Sequence, residues 1–278
     1  MKSQDSYCGK IIIIGQTNVG KSTIINKLLQ QKMSITSKKP GTTNQNILFV
    51  KTLNKHQFIY IDTPGINKKY NILLKNNILN HKKMQLILFV INQTFWSEQE
   101  EIILKKIKKK LIPIILIINK IDLMKCKKIL LPFVEKITAK HQFKHIIPIS
   151  AKKKKHILIL QKMIKKNIPQ SNHIYPIRYI TNLNKNFFIS EFIREKFIKF
   201  LNKEIPYLIK IKIDQCYIDK QNIYNIYASL IIPLPRIKKI IIGEKGKKIK
   251  NCIFLAKKTI KKYLNQDVKL YVKIKINK

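Results

Sequence analysis

Apolar residues fall along this chain in two rhythms. Unbroken runs of strand length, at Ile11–Ile14, Phe58–Ile61, Ile114–Ile118 and Ile146–Ile149, each give way to a small, polar or glycine-containing segment. Such runs suit strands buried on both faces, as in a parallel sheet. An amphipathic stretch, Thr23 to Leu29, follows the first run. Near residues 168–180 the pattern changes, and Pro169, Gln170, Ser171, Asn172 and Pro176 mark a linker. Ile189, Phe192, Ile193, Phe197, Phe200 and Leu201 then recur at helical spacing until Pro206 stops them. Leu208–Ile213 and Ile223–Ile232 read as strands. In a last strand Val268, Leu270, Val272, Ile274 and Ile276 alternate with Lys269, Tyr271, Lys273 and Lys275. A chain of 278 residues can bury two cores. The expectation is a doubly wound α/β domain over residues 1–170 with a mixed, mostly parallel sheet. A linker over 171–180 and a smaller α+β domain over 181–278 follow.

The segments after the apolar runs carry the chemistry. Gly15-Gln16-Thr17-Asn18-Val19-Gly20-Lys21-Ser22-Thr23 is a G-x-x-x-x-G-K-S loop between a strand and a helix. The glycines let successive N–H groups face one centre, and the helix N-terminus adds positive potential there. Lys21 can reach the β- and γ-phosphates of a nucleotide, and the Ser22 hydroxyl can ligate Mg2+.

Asn119-Lys120-Ile121-Asp122 indicates which nucleotide. A carboxylate at Asp122 accepts two hydrogen bonds from the Watson–Crick edge of guanine, and adenine offers no such donor pair. Asn119 would tie this loop to the phosphate loop, and the Lys120 stem would lie over the base. Asp62-Thr63-Pro64-Gly65, followed by Ile66, closes the Phe58–Ile61 run. Asp62 can hold Mg2+ through water, and the Gly65 N–H can approach the γ-phosphate. In Ser150-Ala151-Lys152 a backbone N–H can meet the guanine oxygen. Between these segments lies Lys39-Pro40-Gly41-Thr42-Thr43. Thr43, in preference to Thr42, is expected to cap the metal; turn chemistry after Pro-Gly is the plainer alternative. Lys21, Thr43 and Gly65 are the expected catalytic groups, and Ser22, Thr43 and Asp62 the metal groups. Ile66 offers no side-chain amide to orient an attacking water, so slow intrinsic turnover is expected.

In the second half, Gly243-Glu244-Lys245-Gly246-Lys247-Lys248 is G-x-x-G between apolar Ile240–Ile242 and a basic amphipathic stretch. In a KH domain this loop clamps the backbone of single-stranded RNA across about four nucleotides. A helix–helix turn is the plain alternative.

The net charge of +43 suits a nucleic-acid binder, but its distribution weakens that inference. Residues 1–170 carry 33 basic and 7 acidic residues, and residues 171–278 carry 24 and 7, nearly the same density. Only Arg178, Arg194 and Arg236 are arginines. Lysine, isoleucine and asparagine abound while glycine is scarce, a compositional drift more than a set of contacts. Cys8, Cys126, Cys216 and Cys252 lack metal spacing and read as reduced cytosolic thiols. The longest apolar run, Leu111–Ile118, contains Pro113 and is far below the ~20 residues that span a bilayer. Peripheral membrane contact through lysines is compatible with this composition without being indicated by it.

The order and spacing of these motifs resemble a bacterial GTPase of the Era type over nearly the whole chain. The resemblance extends to Ser6-Tyr7-Cys8-Gly9, Ser34-Ile35-Thr36-Ser37 and Glu191-Phe192-Ile193-Arg194-Glu195-Lys196. The chain departs from it at Gln16-Thr17, usually Arg-Pro; at Asn44, usually Arg; and at Lys152-Lys153-Lys154, where an acid and then a glycine are usual. The resemblance implies Mg2+-dependent hydrolysis of GTP to GDP and phosphate. It also implies a KH-like second domain and binding of small-subunit ribosomal RNA near its 3′ end during assembly of the small ribosomal subunit. It implies a monomer in the cytoplasm, with the inner-membrane surface as a secondary location. Asn18 has two readings, recruitment of a monovalent cation (K+) as in related GTPases, and simple loop hydrogen bonding. Era proteins often continue past the last strand, so contacts made by such a tail are not expected here. A rival is a nucleotide-gated RNA-binding protein with vestigial hydrolysis, and another a GTPase acting on transfer RNA or a membrane partner.

Overall fold

The computed structural model describes residues 5–34, 46–66, 84–201 and 205–276. It divides into two compact units that meet in sequence at Asn182 and Leu183.

The first unit is a six-stranded sheet with strand order β2-β3-β1-β4-β5-β6. Its strands are β1 (Tyr7–Gly15), β2 (Ile47–Leu53), β3 (His56–Asp62), β4 (Met84–Asn92), β5 (Ile114–Asn119) and β6 (His145–Pro148). Only β2 runs antiparallel, paired to β3 at the edge. The other pairs are parallel, so the carboxyl ends of β1, β3, β4, β5 and β6 share one edge of the sheet. The apolar runs follow from this: Ile11 to Ile14, Phe58 to Ile61 and Ile114 to Ile118 are all buried, as is Leu86 to Ile91 of β4, a strand not singled out from the sequence. Helices α1 (Lys21–Leu29), α2 (Glu98–Lys108), α3 (Leu130–Thr138) and α4 (Ile157–Lys166) cover the sheet. Helix α2 starts in a capping box, Ser97 with Glu100, and carries three acids in its first turn and three lysines in its last.

Residues 171–180, expected as a linker, are strapped onto this unit together with Thr181. Buried Gln57 accepts from the N–H groups of Ile174 and Tyr175, both at 2.9 Å, and donates to the Tyr175 carbonyl at 2.7 Å. Val50 N–H donates to Ile180 O at 2.7 Å, and the Thr181 hydroxyl to Leu48 O at 2.7 Å. Polar, proline-bearing sequence does not distinguish a free linker from a strap whose partners lie more than a hundred residues away.

The second unit packs helices on a three-stranded sheet of order β7-β8-β9. Helix α5 (Lys185–Phe200) begins at Asn184, whose side chain accepts from Phe187 N–H at 2.8 Å. Then come the short α6 (Ile205–Leu208), β7 (Lys210–Ile218), β8 (Tyr224–Ile232), α7 (Pro235–Ile242), α8 (Lys247–Leu264) and β9 (Val268–Ile276). Phe188, Phe192 and Phe197 of α5 are fully buried, and Phe192 meets Tyr263 of α8 edge-on at 5.1 Å. Strand β7 is longer than its apolar stretch, because a bulge at Asp214 carries the pairing on to Ile218. Strands β8 and β9 are parallel, so α7 and α8 form the crossover between them. The apolar Ile240–Ile242 segment is the last turn of α7. Glu191 and Arg194 form a bidentate pair at 2.7 Å, and fully buried Glu195 accepts from Lys199 at 2.5 Å. These ion pairs lie within the helix itself.

Candidate nucleotide and RNA sites

The loop from Gly15 to Gly20 leaves the end of β1 and enters α1. At Gly15 a Cβ would lie 2.3 Å from the Val90 carbonyl oxygen, so only glycine lets the strand end lie this close to β4. Gly20 has φ 100°, and a Cβ there would meet Asn119 Nδ2 at 2.3 Å. Asn18, at φ 63°, is a residue type that tolerates the left-handed turn.

Lys21 is buried, and its ammonium donates to the carbonyls of Gly15 at 3.0 Å and Gln16 at 2.7 Å. The loop is thereby wound around a positive centre. Desolvation lowers the Lys21 pKa to about 8, against the attraction of Asp62. Asp62 ends β3 and is fully buried, and burial raises its pKa against the pull of Lys21, Ser22 and Ser34. Neither carboxylate oxygen has a hydrogen bond of normal geometry. Burying a carboxylate without such bonds costs stability, and Lys21 offsets only part of that cost, since burial still raises the pKa. Beside Ser22 in the first turn of α1, this carboxylate is a donor set that suits Mg2+. Among the described residues no group of three or more His, Cys, Asp or Glu offers a self-sufficient metal site. Thr42 and Thr43 lie outside the described residues.

The Asp62–Ile66 segment lies against the phosphate loop. Ile66 N–H donates to Gly15 O at 3.2 Å, and Thr17 N–H to Ile66 O at 3.3 Å. A Cβ at Gly65 would fall 2.6 Å from Thr17 Cα, so this approach requires glycine. The Thr63 hydroxyl donates to Ile13 O at 2.6 Å, which makes its side chain structural. Pro64 is only half-buried beside it.

The two loops expected to take guanine, Asn119–Asp122 and Ser150–Lys152, meet the Gly15–Gly20 loop through Asn119. Its amide donates to Val19 O at 2.7 Å, and its carbonyl accepts from Ala151 N–H at 3.1 Å. The second bond occupies one of the N–H groups expected to face guanine. Lys120 adopts φ 64°, and desolvation lowers its pKa. The exposed carboxylate of Asp122 accepts from the Ser150 hydroxyl at 2.5 Å, and that oxygen in turn accepts from Lys153 N–H at 3.1 Å. The run Lys152 to Lys154 does not open the loop: Ser150 and Lys155 exchange backbone hydrogen bonds at 3.2 and 3.0 Å, with Lys154 at φ 58°.

One contact had no signal in the motif. The Gln16 side chain donates to Ser97 Oγ at 3.0 Å, which joins the phosphate loop to the cap of α2. The cue is separate in the sequence, since Ser97-Glu98-Gln99-Glu100 is a capping box in its own right.

In the second unit, the Gly243–Lys248 loop joins α7 to α8. Gly243 has φ 70° and ψ −179°, a region open essentially to glycine alone, and a Cβ there would strike Lys248 Cβ at 2.6 Å. Gly246 has φ 74°, and its N–H donates to Gly243 O at 3.2 Å. This turn leaves Glu244, Lys245 and Lys247 exposed at the start of an 18-residue helix.

The chain as a whole has counterparts among known proteins. Residues 10–120 match the family model described as 50S ribosome-binding GTPase. GTPase Era of Buchnera aphidicola from Schizaphis graminum is 44% identical over 285 residues, covering 100% of both chains. GTPase Era of Pasteurella multocida is 37% identical, over 97% of this chain and 90% of that one. A variant of Aquifex aeolicus Era solved with GDP and AlF4− superposes with a TM-score of 0.90 at 33% identity, over 98% of this chain and 94% of that one. An Era structure in complex with MgGDPNP and nucleotides 1506–1542 of 16S ribosomal RNA matches with the same score, identity and coverage. The chain belongs to the Era family of GTPases.

Proposed function

We propose that this GTPase holds the phosphates of GTP with the backbone of Gly15 to Thr23 and the Lys21 ammonium. Asn119, Lys120 and Asp122 then take the guanine, with Ser150 to Lys152 behind it. The Asn119–Val19 hydrogen bond carries this reading, because it fixes the base loop against the phosphate loop. Ser22, Asp62 and Thr43 would hold Mg2+, which when bound offsets charge on the phosphate oxygens. Lys21 stabilises the charge that builds on the phosphates, and the Gly65 N–H lies on the γ-phosphate side. The buried Ile66 side chain cannot orient water, so turnover by this chain alone is slow. Asn18 is the position from which K+ would act. The test is GTP turnover with Mg2+, in K+ against Na+, with and without RNA.

The second unit, proposed to fold alone over residues 181–278, binds small-subunit ribosomal RNA through Gly243 to Lys248. The Era neighbour bound to a 16S ribosomal RNA segment supports this. Through this RNA the protein acts in assembly of the small ribosomal subunit, as a cytoplasmic monomer. No helix among the described residues is long and apolar enough to cross a membrane. Crosslinking to total cellular RNA, followed by sequencing of the bound fragments, tests the RNA assignment. Recovery of transfer RNA instead would overturn it.

A further inference from the structure

The sheet of the second unit has a face that the glycine loop does not use. Along β8, Ile226, Ala228 and Leu230 are fully buried or nearly so under the helices, while Tyr227, between them, points to the opposite face. There its ring stacks on Tyr271 of β9 at 4.8 Å and 17°, and on Tyr217 of β7 at 6.3 Å and 15°. Three rings thus form one row across all three strands. β7 and β9 are both edge strands, and Tyr217 and Tyr271 are about half exposed. Among the described residues, the outer rings of the row therefore stand at unpaired edges of the sheet.

Lysines surround the row. Register places Lys212 and Lys273 on either side of Ser229, Lys210 and Lys275 on either side of Ile231, and Lys269 beside Asn225. The facing acids are already matched: Asp214 accepts from Ser229 and lies 3.6 Å from Lys273 and 3.9 Å from Lys275. Asp219, in the β7–β8 turn, lies 3.7 Å from Lys269. Five lysines against two acids leave the face positive. Lysine is abundant everywhere in this chain, so charge alone says little. Stacked, half-exposed aromatic rings framed by cations are what unpaired bases and their phosphates require.

We propose that the open face of the β7-β8-β9 sheet is a second binding surface for single-stranded RNA. A base stacks on Tyr271 or Tyr217, and Lys269, Lys273 and Lys212 meet the backbone. The proposal rests on the reading of this unit as RNA-binding and extends the path of the strand beyond the glycine loop.

The test uses the full chain and two oligouridines. One, of ~6 nucleotides, is enough for the glycine loop, and the other, of ~25 nucleotides, spans more than one site. Tyr217→Val and Tyr271→Val keep a strand-forming residue without the ring. Each is expected to weaken the long RNA about tenfold and leave the short one unchanged, whereas Tyr271→Phe retains affinity. In the wild-type protein, long RNA carrying 4-thiouridine should crosslink to the 268–276 peptide, a readout that needs no variant to fold. Lys245→Asp separates the two readings. If it weakens neither RNA while the tyrosine variants act, the glycine loop fails and the face stands. Crosslinks confined to the glycine-loop peptide, with unchanged long-RNA affinity in both valine variants, would overturn the proposal. So would full displacement of the long RNA by polyglutamate combined with indifference to the tyrosines, which would mark the face as one for an acidic protein.

Discussion

The side-chain amide of Asn119 donates to the carbonyl oxygen of Val19 at 2.7 Å, linking residues a hundred positions apart. The same side chain accepts from Ala151 N–H, so one amide holds three loops. Asn119→Ala leaves both partners buried and unpaired, at about 1–3 kcal/mol each. GTP affinity is expected to fall at least ~tenfold, and a binding titration by calorimetry measures it. An affinity within about twofold of wild type would show that the link does not organise the site.

Gly20→Ala should be worse than its size suggests. The new Cβ would lie 2.3 Å from Asn119 Nδ2, and the backbone sits at φ 100°. The left-handed geometry alone costs an L residue about 1–2 kcal/mol. Fluorescent GTP-analogue binding should be lost, while a circular-dichroism melt still shows a folded protein. Retained binding would mean that the loop adapts.

The four thiols should separate by burial. Cys126 is exposed, whereas Cys252 is fully buried, and desolvation pushes its pKa up to about 11. The thiolate is the reacting form, so Cys252 is protected by both access and ionisation. Because its pKa is raised, its reactivity increases as pH rises toward 11. Timed alkylation near pH 8, read by mass spectrometry, should label Cys126 first and Cys252 only after denaturation. Early labelling of Cys252 would contradict the packing of α8.

Three of the four apolar runs were legible as buried strands because a parallel sheet leaves no solvent face to break the pattern; the fourth, at Ile146–Ile149, belongs to the half-buried edge strand β6. The meeting of the Gly15–Gly20 loop with the Asn119–Asp122 loop was legible because Gly20 and Asn119 have few substitutes where the two loops touch. Other features were not. The strap 171–181 depends on Gln57, whose partners are distant in sequence. The Gln16–Ser97 bond joins two motifs that are each complete alone. In β7 the bulge at Asp214 hides the alternation, so the row of tyrosines emerges only in register.

Lys245→Asp should weaken single-stranded RNA binding more than the loss of two exposed lysines on the first unit. Lys245 is exposed between Gly243 and Gly246, where on the proposed reading a negative charge would face the RNA backbone. Lys109 and Lys128, exposed on the first unit, are suitable controls; Lys108 is not, since its ammonium lies 3.4 Å from His141 Nδ1. The controls should only flatten the salt dependence of non-specific binding. Titrations at two salt concentrations, with a preferred and a scrambled RNA, compare them. Equal losses in all variants would remove the glycine loop from the RNA site.

Nucleotide selectivity at Asp122 tests the central claim most directly. Ser150 holds one carboxylate oxygen at 2.5 Å, an acceptor that Asn at this position also supplies, so Asp122→Asn should fold normally. Initial rates of hydrolysis of GTP, XTP and ATP are measured for both proteins with Mg2+. The account predicts that wild type prefers GTP over both competitors. It also predicts that Asp122→Asn weakens GTP binding by at least ~1.5 kcal/mol and gains XTP turnover. Equal use of ATP and GTP by the wild-type protein, or an undiminished GTP preference in Asp122→Asn, would contradict it.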